Sequence, residues 1–174
     1  MYQLPGYLYY LVMAESKLEH FETGYLDNDD LDSAGVFLSE AVKTPDDQYK
    51  LESSVLIAKT LYLRKSFTAA LSMLRKLQLL SVKIEFFATR NARLVSEGLA
   101  LIGLCVEELA QMTRRGLTVE ELKEAHSHYE VGGELCVRHF QELYQGAVEP
   151  INVTFPKVVF KAIQRNLALI HQSG

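Results

Sequence analysis

Apolar side chains recur at three- and four-residue steps along almost the whole chain. The pattern is clearest in Leu122–Leu143, where one apolar stripe continues for about six helical turns. No convincing run alternates apolar and polar residues with the period of two that a half-buried strand shows. The chain is therefore predicted to be all-α. The predicted helices are 6–23, 29–43, 46–64, 66–79, 89–113, 118–145 and 156–172. The stretch 81–88 fits either a short separate helix or the start of the next one.

The predicted helix ends carry suitable local signals. Thr44–Asp47 offers an N-cap at Thr44, a proline at the first helical position and acidic groups for the helix dipole. Thr118–Glu121 has the spacing of a capping box, in which the first and fourth residues bond to each other's backbone. Glycines are predicted to stop helices at three places: Gly24, Gly116 and Gly146.

The segment Glu52–Gln78 is predicted to be a helical hairpin that turns at Arg64–Ser66. Its small and large residues keep the spacing of a tetratricopeptide repeat: Ala58, Leu61, Phe67, Ala70 and Leu74. A second copy is predicted from Gly103, Val106, Ala125 and Tyr129, and a third begins at Ala162. We therefore expect a single all-helical domain over 1–174, built as a degenerate tetratricopeptide-like stack of antiparallel hairpins with about seven helices. Because no clean 34-residue period emerges, generic helix hairpins and a closed bundle remain alternatives.

Composition narrows the function classes. The 174 residues are 48% hydrophobic and carry a net charge of −4, so a packed core is expected and a nucleic-acid-binding surface is not. The acidic run Asp27–Asp32 is predicted to be a solvated helix start. Cys105 and Cys136 lie in apolar helical patterns and are predicted to be buried, reduced thiols. The apolar stretch Tyr7–Ala14 lacks a preceding Lys or Arg and is predicted to be a buried helix of a cytosolic protein, not a signal peptide.

Motifs for chemistry are missing from the sequence. It contains no glycine-rich phosphate loop, no His-Glu-x-x-His and no Gly-x-Ser-x-Gly. His126 and Glu130 are one turn apart, but His128 should point away from them, so a solvated surface is expected in place of a metal site. Asn152–Thr154 matches a glycosylation acceptor, which matters only in a secreted chain. We therefore predict no catalytic, cofactor-binding or metal-binding residue and no cofactor, and no motif marks the partner-binding residues.

The C-terminal helix is more apolar than a terminal amphipathic helix needs. Its apolar residues fall on more than one face: Val158, Val159, Phe160, Ile163, Leu167, Leu169 and Ile170. One interpretation is that an outward face, with Leu169 in it, awaits further repeats or a second copy of the chain, which would then self-associate through this helix. The alternative is that Phe155 and Phe160 fold back and cover the whole helix.

In order and spacing, several segments together resemble the N-terminal region of the tetratricopeptide repeat protein 7 family. The matching segments are Ala14–Glu19, Leu51–Tyr62, Phe67–Leu71, Arg93–Leu109, His128–Leu135 and Ile163–Arg165. The resemblance covers roughly residues 11–172, and Arg93–Leu109 is its most specific segment. Proteins of the family are several times longer, so the chain is expected to be the N-terminal part of a longer repeat protein or a reduced relative.

The resemblance implies a non-catalytic scaffold. Members of the family hold the type III alpha phosphatidylinositol 4-kinase at the plasma membrane, together with a hyccin-type subunit and a palmitoylated membrane anchor. The implied location is cytoplasmic, with peripheral recruitment to the plasma membrane and no direct insertion. Two alternatives stay open: an unrelated tetratricopeptide-type adaptor that binds peptides, and a small helical enzyme or metal protein whose chemistry is spread across helices.

Overall fold

The structure, a computed structural model, describes residues 6–82, 89–145 and 156–173. These residues contain seven α-helices and no strand, which confirms the all-α prediction. The helices are α1 Gly6–His20, α2 Asn28–Ala41, α3 Asp47–Leu63, α4 Phe67–Lys76, α5 Thr89–Met112, α6 Val119–Gln145 and α7 Lys157–Ser173. Each predicted helix is present with its ends within a few residues. The undecided stretch 81–88 begins at the end of a 3₁₀ turn, Leu79–Ser81, and 83–88 lie outside the described residues.

The chain divides into two compact units, Met1–Met73 and Leu74–Gly174, so the division falls within α4. In the first unit, α1 packs closely on α2, and α3 packs on both. A π-helical turn, Phe21–Tyr25, follows α1, and Gly24 within it has a φ of 108° that favours glycine. The core of this unit includes Leu11, Ala14, Leu18, Leu31, Ala34, Leu38, Val55, Leu56, Ala58 and Ala70.

In the second unit, α5, α6 and α7 pack against one another. The apolar stripe predicted on α6 lies inward at Ala125, Tyr129, Cys136 and Phe140. Many side chains of α5 are also buried in this core, including Leu94, Leu99, Leu101, Ile102, Leu104 and Cys105. Both faces of α5 are apolar because helices cover it on more than one side.

The capping box of α6 is confirmed. The Thr118 amide donates to Glu121 Oε1 (2.9 Å) and the Glu121 amide donates to Thr118 Oγ1 (3.1 Å). Arg115 binds the same carboxylate with two hydrogen bonds of 2.6 and 2.8 Å. These bonds, first from Arg115 and then from Thr118, lower the pKa of Glu121 to about 2.

Two predicted helix ends were wrong in detail. The N-cap of α3 is Asp46, whose carboxylate accepts from the Tyr49 amide (3.1 Å), while Thr44 is buried and accepts from the Asp46 amide. Aspartate caps a helix as well as threonine does, so the two candidates could not be separated locally. The turn after α5 uses Arg114 in the left-handed region (φ 52°), and Gly116 shows no positive φ.

The acids of the run Asp27–Asp32 are exposed at a helix start, as predicted, except for Asp30, which is buried. Asp27 caps α2, accepting from the Asp29 amide. Asp30 is buried with its carboxylate 2.5 Å from His20 Nδ1, and Asp32 pairs with Arg64 at 2.5 Å. Asp30 and Asp32 therefore each pair with a side chain from another part of the chain.

Candidate functional site

The α5–α6 hairpin has the close helix crossing expected of a tetratricopeptide unit. Gly103 lies directly under the Tyr129 ring, and a Cβ built on it would stand 2.2 Å from Tyr129 Cε1. Further along α6, a Cβ built on Gly132 would stand 3.1 Å from both Leu99 Cβ and the Ser96 carbonyl oxygen. Glycine permits these backbones to approach, because any side chain would occupy the space of the neighbouring helix. Gly103 and Tyr129 are two of the four positions from which the second repeat was predicted, and the structure brings them into contact.

A buried carboxylate joins the three helices of this unit. Glu107 on α5 accepts from Tyr129 Oη on α6 at 2.5 Å and from Arg165 Nη2 on α7 at 2.5 Å. Glu107 is 8% exposed and Tyr129 is 1% exposed. The hydrogen bonds to Glu107 raise the pKa of Arg165. Both Glu107 oxygens are engaged by donors, which fixes the helices relative to one another.

Sequence reasoning missed this network. Glu107 stands within the apolar stripe of α5, between Val106 and Ala110 on the buried side. A lone acid on an apolar face needs a buried partner, and that signal was available. Its partners Tyr129 and Arg165 are 22 and 58 residues away in the sequence, so the sequence did not indicate which residues they would be.

The outer surface formed by α6 and α7 is the candidate functional site. We define the α6–α7 face as Glu134, Val137, Arg138, Phe160, Ile163 and Leu167. Val137 is 41% exposed, and Phe160 and Leu167 are each 54% exposed. Except for Phe160, these residues line an open groove of about 480 Å³. The Gly133 Cα lies in this groove beside Ile163, and a Cβ there would be 3.3 Å from Ile163 Cγ1.

The exposure of the α7 side chains bears on the two alternatives raised for the C-terminal helix. Val158, Val159 and Leu169 are buried, whereas Phe160 and Leu167 are exposed. The alternative in which Phe160 folds back to cover the helix is therefore contradicted. The placement of Leu169 on the outward face was also wrong, because this residue points into the core. Phe155 lies outside the described residues.

The histidines of α6 point in different directions. His126 Nδ1 lies 2.7 Å from Asn166 Oδ1, and its Nε2 lies 3.1 Å from Glu130 Oε2. His128 Nδ1 instead lies 2.6 Å from the Glu124 carbonyl oxygen. His126 therefore helps to join α6 to α7. Over the described ranges, no group of three His, Cys, Asp or Glu side chains is placed to hold a metal ion.

Both cysteines are free and buried, as predicted. Burial raises the pKa of Cys105 to about 12 and that of Cys136 to about 11. Neither thiol is therefore activated as a nucleophile at neutral pH. The glycosylation pattern at Asn152–Thr154 lies outside the described residues.

In the described part of the chain, no helix is both long enough and apolar enough to cross a membrane.

No curated protein matches the chain. The family model described as "Tetratricopeptide repeat protein 7 N-terminal" matches residues 9–174. The chain therefore belongs to the tetratricopeptide repeat protein 7 N-terminal family, whose helical adaptors act through protein–protein contacts.

Proposed function

We propose that the chain is a non-catalytic scaffold that helps to assemble a type III alpha phosphatidylinositol 4-kinase complex. The proposed partners are this kinase, a hyccin-type subunit and a palmitoylated membrane anchor. Membership of the tetratricopeptide repeat protein 7 N-terminal family supports the proposal, since the resemblance to that family implies these partners.

One structural observation carries the scaffold role. The second unit holds three helices rigidly through the Gly103–Tyr129 crossing and the Glu107 network, and it presents exposed apolar side chains on its outside. Rigid helices lose little conformational freedom on binding, and exposed apolar patches mark interaction surfaces. A surface of this kind suits binding to another protein.

Affinity capture from cells tests the partner assignment. A tagged full chain is recovered from cytosol and membrane fractions, and the bound proteins are identified by mass spectrometry. We expect the type III alpha kinase and the hyccin-type subunit. Gly103→Leu, which forces the α5–α6 crossing apart, should lose both proteins, and Gly35→Ala, on an open surface of α2, should keep them.

Two outcomes would argue against the proposal. A folded chain that recovers no lipid kinase contradicts the kinase assignment. Capture of short peptides in its place would favour a peptide-binding adaptor that uses the groove between α6 and α7.

The proposed location is the cytoplasm with peripheral recruitment to the plasma membrane. A fluorescent fusion of the chain should move to the plasma membrane when the anchor and the hyccin-type subunit are co-expressed. It should stay diffuse when the anchor's palmitoylated cysteines are replaced by serine, because lipidation supplies the membrane affinity. Membrane binding that does not depend on the anchor would contradict this location mechanism.

A further inference from the structure

Two opposite charges on the α6–α7 face stand one helical turn apart. Glu134 and Arg138 are both exposed and both line the groove, with Val137 beside them. An i, i+4 Glu–Arg pair on a helix has the favourable orientation for an ion pair. Even so, neither side chain forms an ion pair with any residue of the described ranges. The charges are therefore available to a partner.

We infer that the α6–α7 face binds a second copy of the chain, with the two α6 helices antiparallel. In a two-fold interface, residue i of one copy contacts residue j of the other, and j contacts i. Glu134 and Arg138 lie symmetrically about position 136. A two-fold axis at that level places Glu134 opposite the second copy's Arg138, and the reverse pair forms at the same time.

The apolar part of the face fits the same arrangement. Val137 lies next to the level of the axis, and the Gly133–Ile163 contact brings Ile163 within one turn of it. Phe160 and Leu167 follow on α7, one turn to either side of Ile163. The centre of the contact would thus be apolar with two flanking ion pairs, which is the usual arrangement of a specific interface.

Charge complementarity selects a second copy over other occupants. An unrelated helix needs a basic and an acidic residue placed independently to match Glu134 and Arg138. The same face rotated by a two-fold axis provides both in the correct order. This inference does not depend on the kinase assignment, because it concerns the isolated chain.

Charge reversal tests the pairing. Sedimentation equilibrium of the full chain should show a monomer–dimer equilibrium. Glu134→Arg alone places two positive charges opposite each other at both contacts, and Arg138→Glu alone places two negative charges there. Each single variant should weaken dimerisation at least tenfold.

Mixing the two single variants is the decisive measurement. One copy then carries two positive charges and the other two negative charges, so every contact pairs opposite charges. An equimolar mixture should form heterodimers, and the double variant Glu134→Arg/Arg138→Glu should again form homodimers. Val36→Glu, at an exposed position of α2, serves as the matched control and should leave the dimer unchanged.

Several results would overturn the inference. These are a parent chain that stays monomeric at high concentration, a dimer that tolerates both single reversals, and a mixture of single variants that remains monomeric. Far-UV circular dichroism of each variant separates loss of dimer from loss of folding. Because all substituted side chains are on the surface, the helical signal should stay at the parent level.

Discussion

Replacing Gly103 with alanine tests the crossing of α5 and α6 directly. The new Cβ would stand 2.2 Å from Tyr129 Cε1 and 2.6 Å from Cδ1 and Cζ. Carbon atoms in contact normally sit at about 3.5–4.0 Å, so either the ring or the helix has to move by more than about 1 Å. The ring is held in place because Tyr129 is buried and its hydroxyl bonds to Glu107.

Three effects set the size of the change. Overpacking costs about 1–3 kcal/mol. Alanine is better than glycine inside a helix by about 1 kcal/mol, which offsets part of that loss. If the ring moves, the hydrogen bond to the charged Glu107 is lost as well, at about 1.5–3 kcal/mol. We therefore expect a net decrease of about 2–4 kcal/mol in the free energy of unfolding.

Urea unfolding followed by far-UV circular dichroism measures this change. Gly35→Ala is the matched control, because Gly35 is helical and a Cβ there meets no atom within 4 Å. The control should gain about 0.5–1 kcal/mol from helix propensity alone. If both alanines stabilise the protein equally, the crossing is not as close as the structure shows. Adding Tyr129→Leu to Gly103→Ala should recover part of the loss, since the smaller side chain leaves room for the methyl group.

Three further predictions concern buried and paired groups. Lys59 Nζ lies 2.7 Å from Glu22 Oε1, and both side chains are nearly buried. Lys59→Ala should therefore lower the free energy of unfolding in urea by about 3–5 kcal/mol, because it leaves the Glu22 charge without this partner. A loss under about 1 kcal/mol would contradict the burial of the pair. Cys105 and Cys136 should react slowly with a thiol reagent at pH 8 in the folded protein and rapidly in denaturant, and fast native labelling would show that the thiols are accessible. The pKa of Glu121 is lowered to about 2 from an ordinary value of 4.5, so its stabilising contribution is present above about pH 4.5 and is lost as pH falls towards 2. Glu121→Gln should flatten the fall in urea stability over this range, and an unchanged pH profile would exclude this carboxylate as its source.

The sequence by itself determined the helices, most of their ends and the family. Helical periodicity is written into neighbouring residues, and capping signals such as Thr118–Glu121 act over four positions, so no distant contact was needed to predict them. That Gly103 and Tyr129 belong to one repeat unit was also predicted, because the tetratricopeptide spacing places small and large residues at fixed positions in successive helices. Their direct contact was not predicted. Where two local signals were equivalent, as with Thr44 and Asp46, the sequence could not choose between them.

Only the tertiary structure decided which apolar residues face outward and which charges are buried together. On α7, Phe160 and Leu169 are both large apolar residues, yet Phe160 is exposed and Leu169 lies in the core. Glu107 and Arg165 are 58 residues apart and meet only because α7 packs beside α5. These outcomes depend on how helices rotate and pack against their neighbours. That rotation is set by the summed burial and hydrogen bonding of several helices, which no single segment of sequence contains.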